Sequence, residues 1–302
     1  MPTERSRLDD RPKRRETTSQ VARRAPRRSS LETTNTVADM VARRHRASDL
    51  LDAYLPDAEP TPGVLGARVD AEPGFILHTW DWSESSLLLD VLTLHYGRIF
   101  MVAKGAKRPS SQMRGLLTAF CPLLFSWSGK KEAKNLTRVE WLGTLMPLTG
   151  ETLLSGFYVN ELVIKLCERE ERHPGLFQAY VDVIDTLAQG ERDDIQPALR
   201  LFEKKILTLA GWAPTVVGAA KAEHYAIEDG QLVPTERTGD EVYSAQVVAA
   251  LLRDDFAERR WQRPLRALLR ELIEYHLGNR TINTRRILSE LHQLMSHKVS
   301  ER

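Results

Sequence analysis

Cysteine is nearly absent. The 302 residues hold two, Cys121 and Cys167, far apart and each inside an apolar run. That excludes a disulfide framework and a cysteine-pair zinc spacing, and both thiols are expected to be buried in a reducing compartment. No apolar run reaches the roughly 18 residues that a membrane-spanning helix needs. The N-terminal charges are not followed by an apolar segment, so no secretory signal is expected, and Glu4, Asp9, Asp10 and Glu16 argue against a mitochondrial transit peptide. A phosphate-cradling glycine loop is missing as well: WSGKK (127–131) lacks the first glycine and the hydroxyl of G-x-x-x-x-G-K-[ST]. There is no H-E-x-x-H. His78 and His95 therefore read as hydrogen-bonded strand or surface residues rather than metal ligands. Ser83 and Ser85 flank Glu84 in a polar turn, and nothing in the sequence supplies a base or an oxyanion site for either. No metal site, cofactor or catalytic set is expected; an enzyme whose site the sequence hides is the third-ranked reading.

What the chain has is charge unevenly spread. The formal net charge is only +2, but the stretch from Arg98 to Arg138 carries nine Lys and Arg against the single acid Glu132. From Gly150 to Arg200 the balance reverses, with ten acids against five bases. Such asymmetry between neighbours suggests a polyanion-binding module beside one employed differently.

The organisation follows in three parts. Residues 1–72, with runs such as RPKRRETTSQVARRAPRRSS, are too poor in apolar residues to fold alone and are expected to form a disordered basic extension. Within it 37–54 can form a short helix, and Pro56, Pro60, Pro62 and Gly63 mark a linker. From 73 to 148 come five strand-like runs: GFILHTW, SSLLLDVLTLHYGR, RIFMVAKG, LLTAFCPLLFSW and NLTRVEWLG. Five short strands in a small all-β unit point to a closed barrel of the OB type. From 149 to 302 the period becomes helical, with a helix expected to open at Pro197 and to end at Gly211. A non-helical insertion over about 212–243 contains a hairpin signal at Asp229-Gly230. The fold class is thus α+β multidomain, an OB-fold barrel followed by a mainly helical domain.

In RIFMVAKG, alternation puts Ile99, Met101 and Ala103 on one face and Phe100, Val102 and Lys104 on the other. OB-type barrels bind oligonucleotides across one face and its flanking loops, and grooves of cations track phosphates while aromatics stack bases. The expected nucleic-acid contacts are Arg98, Lys104, Lys107, Arg108, Arg114, Lys130, Lys131 and Lys134. Trp80 and Trp82 share a strand face and can stack bases, at least one of them being expected in the core. Asp90, costly in a core, is expected on the exposed face.

The segments GFILHTWDWSESSLLLDVLTLHYGRIFMVAKGAKRP, RGLLTAFCPLLFSWSGKKEAKNLTRVEW, LSGFYVNELVIKL and PALRLFEKKILTLAGW resemble the RecO family of DNA repair proteins, over roughly residues 73–300. The first closely matches, from Gly74 to Arg108, the family pattern G-x-x-L-x-x-x-x-x-x-E-x-S-L-L-L-D followed by G-R-x-x-x-V-A-K-G-A-[KR]. The resemblance implies an OB-fold and a helical domain. It implies binding of single- and double-stranded DNA, annealing of complementary strands and, with RecR, help in loading RecA onto strands coated by single-stranded DNA-binding protein (SSB). It implies a non-enzymatic protein of the bacterial cytoplasm, associated with the nucleoid. Lys104, Lys107 and Arg108 match the family's DNA-contacting loop. Arg200 in LRLFE matches an arginine associated with docking of the acidic SSB tail; its ordinary alternative is an intrahelical pair with Glu203. Two departures stand out: GWAPTVVGAAKAEHYA lacks the four zinc cysteines of some members, so no zinc is expected, and the basic extension has no family role. The second-ranked reading is a generic single-strand nucleic-acid binder without a mediator role.

Overall fold

The computed structural model describes residues 47, 51, 68–143, 147–218, 222–239 and 241–287. The extension expected over 1–72, with its helix and linker, lies outside the described residues apart from Ala47, Leu51 and the stretch from 68. Ala47 and Leu51 are buried in the helical core, and the Ala47 amide donates to Asp185 Oδ1 at 2.6 Å.

Five strands form a closed barrel: β1 (Val69–Asp81), β2 (Leu87–Thr93), β3 (Gly97–Ala103), β4 (Leu123–Ser128) and β5 (Lys134–Trp141). The first strand begins at Val69, ahead of the expected boundary at 73. Around the barrel the order is β1-β2-β3-β5-β4; β3 and β5 pair in parallel and the other neighbours antiparallel. The barrel is filled by Ile76, Leu89, Val91, Ile99, Met101, Phe125, Trp127 and Leu136, so the alternation read in β3 holds: its odd positions fill the interior. Pro122 ends the long β3–β4 connection, whose Met113, Leu116 and Leu117 pack against the barrel core, and β4 starts just after it.

The helices are α1 (Gly150–Leu166), α2 (Pro174–Gln189), α3 (Arg192–Leu209), α4 (Ala245–Leu252) and α5 (Arg259–Leu277). The start expected for α3 at Pro197 is corrected to Arg192. Glu191 and Asp194 form a capping box there, and Asp193 and Asp194 complement the helix dipole. Pro197 then lies early in the helix rather than opening it. Between α3 and α4, β6 (His224–Glu228), β7 (Gln231–Pro234) and β8 (Tyr243–Ser244) form a small sheet in the order β7-β6-β8. Its hairpin turns at Asp229 and Gly230, with φ of 50° and 74°, the left-handed pair expected of Asp-Gly.

The barrel interior forms one core, and the outer face of the barrel joins the core of the helices. Phe75 packs its ring 5.9 Å from Phe177 and 5.1 Å from Tyr180, and Leu77, Leu92 and Leu94 join the same cluster. Asn160 of α1 donates to the Leu77 carbonyl at 2.8 Å, while Tyr180 of α2 donates to Asn160 Oδ1 at 2.8 Å. The Asn160 amide and the Tyr180 hydroxyl are thereby both satisfied at a buried position.

Candidate nucleic-acid interface

On the outer surface of β1–β2–β3 the strand register lines up two rows. Trp80, Leu88 and Val102 are opposite one another, and so are His78, Asp90 and Phe100. The first row is open to solvent at Trp80; in the second, His78 is exposed and Phe100 half-buried. His78 meets the Trp80 ring edge-on at 4.3 Å, and Trp80 meets Phe100 at 5.9 Å. Trp82, at the end of β1, is 62% exposed and Trp80 38%. The expectation that one tryptophan would be core is thereby corrected: both sit past the region that the helices cover.

Asp90 is also corrected. It lies on the outer face but is fully buried, because the segment joining α1 and α2 folds over it. Arg98 Nε stands 3.4 Å from Asp90 Oδ1, and Arg169 Nη2 stands 3.5 Å from Oδ2. Burial raises the Asp90 carboxyl above the usual carboxylate range, against the pull of Arg98 and then Arg169.

The expected DNA contacts divide into three groups. Lys104, Arg108, Arg114, Lys130 and Lys131 are exposed and have no carboxylate partner among the described residues. Lys107 is half-tethered: Nζ donates to Asp81 Oδ1 at 3.0 Å and to the Ser83 carbonyl at 3.3 Å. With the Lys107 amide donating to the Ser85 carbonyl at 3.0 Å, this pins the Lys104–Arg108 loop onto the β1–β2 loop. Arg98 and Lys134 are corrected, since both are internal. Arg98 donates to the carbonyls of Val163 (3.3 Å) and Ile164 at the C-terminal end of α1, where a cation complements the helix dipole. Lys134 is paired with Glu170 at 2.7 Å and donates to the Lys131 carbonyl.

The two groups of free cations flank the aromatic rows. Lys104 and Arg108 follow the C-terminal end of β3. The β4–β5 turn with Lys130 and Lys131 lies toward the other end, because Met101 pairs with Lys134 in a parallel register. A chain of contacts ties that turn to the face: Glu132 to Arg169 at 2.5 Å, and Arg169 over the Phe100 ring at 4.1 Å. His78, Phe100 and Arg169 were not among the expected contacts. Alternation already put Phe100 beside Lys104, but Arg169 sits in the acidic stretch and nothing local marks it.

Arg200 makes the intrahelical pair that was its ordinary alternative. It is buried, and its Nη2 donates to Glu203 Oε1 at 2.6 Å, one turn along α3. Glu203 also accepts from the Tyr158 hydroxyl at 2.7 Å, and Arg285 donates to that hydroxyl at 2.6 Å. Burial, and then the Glu203 charge, raise the Tyr158 phenol far above its usual value. Cys167 is buried, and burial pushes its thiol to about 12, the state of an inert core thiol.

Residues 70–145 match the family model for the recombination protein O N-terminal domain, and 147–286 match that for its C-terminal domain. The chain belongs to the RecO family. Its relatives include the DNA repair protein RecO of Cupriavidus pinatubonensis, 38% identical over 285 residues that span 84% of this chain and 97% of the relative. The RecO of Ralstonia nicotianae is 41% identical, covering 78% and 92%, and that of Aromatoleum aromaticum 39% identical, covering 75% and 98%. As a RecO-family member the chain is a DNA repair and recombination protein, and its barrel and helical domain are those the resemblance implied. No described helix is long and apolar enough to cross a membrane.

Proposed function

We propose that the chain is a non-catalytic recombination mediator of the bacterial cytoplasm and nucleoid. It binds single- and double-stranded DNA across β1–β2–β3, anneals complementary strands and, with RecR, helps load RecA onto SSB-coated single strands. One observation carries this reading: a cluster of exposed His78 and Trp80 with half-buried Phe100 lies between two loops of unpaired cations, Lys104 with Arg108 and Lys130 with Lys131. Bases stack on such rings at about 1–3 kcal/mol each while the cations follow the backbone. The acidic SSB tail is taken by the helical domain around the Arg200 cluster. Arg200 organises that cluster from inside, and the exposed Arg266 beside it offers the charge to the tail's carboxylate.

The test is annealing of complementary oligonucleotides precoated with SSB. Full-length protein is expected to anneal them, and Lys104→Glu with Arg108→Glu is expected to abolish both binding and annealing without loss of fold. If four phosphates are engaged, affinity for a single strand falls about 50-fold between 50 and 200 mM salt. The generic single-strand binder is favoured by the same aromatic row, since every base has a face to stack and rings do not tell DNA from RNA. That reading predicts tight binding with a stall on coated strands, an outcome that would remove the mediator role.

A further inference from the structure

We propose that Arg169 is a phosphate-binding residue of this surface and that Glu132 occupies it until a nucleic-acid phosphate displaces the carboxylate. The proposal rests on the reading that the outer barrel face binds nucleic acid. Arg169 does not belong to the barrel. It sits between α1 and α2, and the Glu170 amide donating to the Arg98 carbonyl at 2.9 Å fixes that segment against β3. Its guanidinium lies over Phe100, the innermost ring of the aromatic row. Beneath it is Asp90, whose side chain is 1% exposed; beyond it is Glu132, whose side chain is 74% exposed. Arg169 Nε has no hydrogen-bond partner.

The two acids differ in what they can do. Asp90 is locked under the segment and balances charge permanently. Glu132 projects from the β4–β5 turn between Lys131 and Ala133, mostly in water, and an exposed ion pair of this kind is worth only about 0–1 kcal/mol. A phosphate offers the same guanidinium two oxygens and releases counterions as it docks. Exchanging Glu132 for phosphate is therefore nearly free, and it also frees a carboxylate from the path of the backbone. Room is present: a cleft of about 540 Å³ is lined by Arg98, Lys130, Glu132, Lys134, Arg169 and Glu170, among others. Arg98 and Lys134 are neutralised there by Asp90 and Glu170, so Arg169 and Lys130 are the cations open to a ligand, with Glu132 and the exposed Glu168 as the acids beside them. Glu132, the lone acid in the basic stretch, is thus a built-in stand-in for phosphate that weakens binding of weaker anions.

The experiment titrates full-length protein into labelled oligothymidylate between 50 and 200 mM salt. Glu132→Gln is expected to bind about fivefold tighter at 50 mM with an unchanged salt slope, because Arg169 already takes the phosphate in the wild-type complex, whereas loss of Arg169 makes the slope shallower by about 0.7. Arg169→Ala is expected to weaken binding, and the double variant to behave as Arg169→Ala alone. Where Arg169→Ala does not fold, Arg169→Lys keeps a cation above Asp90 and takes its place. Glu140→Gln removes an equal charge from the exposed Arg138–Glu140 pair on β5 and is expected to change nothing. If Glu140→Gln matches Glu132→Gln, or Glu132→Gln still tightens binding without Arg169, the proposal is overturned while DNA binding stands. If wild-type protein fails to bind oligothymidylate at all, the function reading falls and takes the proposal with it.

Discussion

Arg98 and Lys104 look alike in the sequence, six residues apart in one basic run, yet they do opposite things. Arg98 faces Asp90 and the last carbonyls of α1; Lys104 faces water. Removing one partner of a buried ion pair strands the other charge. Arg98→Ala is therefore expected to lose about 3 kcal/mol of stability, read from the urea midpoint, with the salt slope of oligothymidylate binding unchanged. A drop in that slope would return Arg98 to the phosphate contacts. The comparison shows what charge counting can tell. A surplus of cations in 98–138 pointed to the barrel, and the exposed basic loops at Lys104–Arg108 and Lys130–Lys131 were legible from it. Which cations are spent inside was not legible, because the partners of Arg98 and Lys134, Asp90 and Glu170, come from another strand and from the α1–α2 segment that only the fold brings near. Arg200 is the exception, its partner being three residues on.

Elements were read most easily where local chemistry decides them. The five strands, the Asp229-Gly230 turn and the helical period after Gly150 need only alternation, a left-handed turn and 3.6-residue spacing. Caps supplied by distant residues escape such reading. Glu161 of α1 accepts from the amides of Asn283 and Thr284, each at 2.8 Å, and from the Thr284 hydroxyl at 2.5 Å, closing the start of the helical stretch 283–287. Burial alone would raise this carboxyl, but hydrogen bonds from Thr284 and Lys165 outweigh it and hold the group below the usual carboxylate range. A carboxyl lowered in the folded state stabilises above its unfolded value, and that stability is lost as pH falls through the folded value. Glu161→Gln is expected to cost about 1–2 kcal/mol at pH 7. The gap from wild type should shrink as the pH drops below about 4.5, measured by urea midpoints at each pH. A gap independent of pH would mean that the carboxylate's charge contributes nothing and that the loss comes from the altered hydrogen-bond geometry of the cap.

At the scale of the whole molecule, the barrel and the helices cannot be separated without opening a shared core. Phe75, Leu77 and Leu92 turn outward from the barrel, and α1 and α2 cover them. Gly97 marks how tightly the two parts meet. It opens β3 with φ of 69°, and a Cβ there would run into the Glu171 carbonyl oxygen of the α1–α2 segment. Four of the six tryptophans, Trp80, Trp82, Trp127 and Trp141, belong to the barrel, whereas most helical signal comes from the C-terminal part. Fluorescence and far-ultraviolet circular dichroism thus report on different halves. If the junction couples them, their urea transitions coincide, as in a single cooperative unit. Gly97→Ala adds a methyl group where no space exists and forces the α1–α2 segment off β3, so it is expected to split the transitions, with the barrel signal melting first. The same displacement carries Arg169 away from Phe100, so at low denaturant Gly97→Ala should also weaken oligothymidylate binding. Coincident transitions in Gly97→Ala together with wild-type binding would show that the segment can slide along β3 without cost, and that the aromatic face does not depend on the helices that border it.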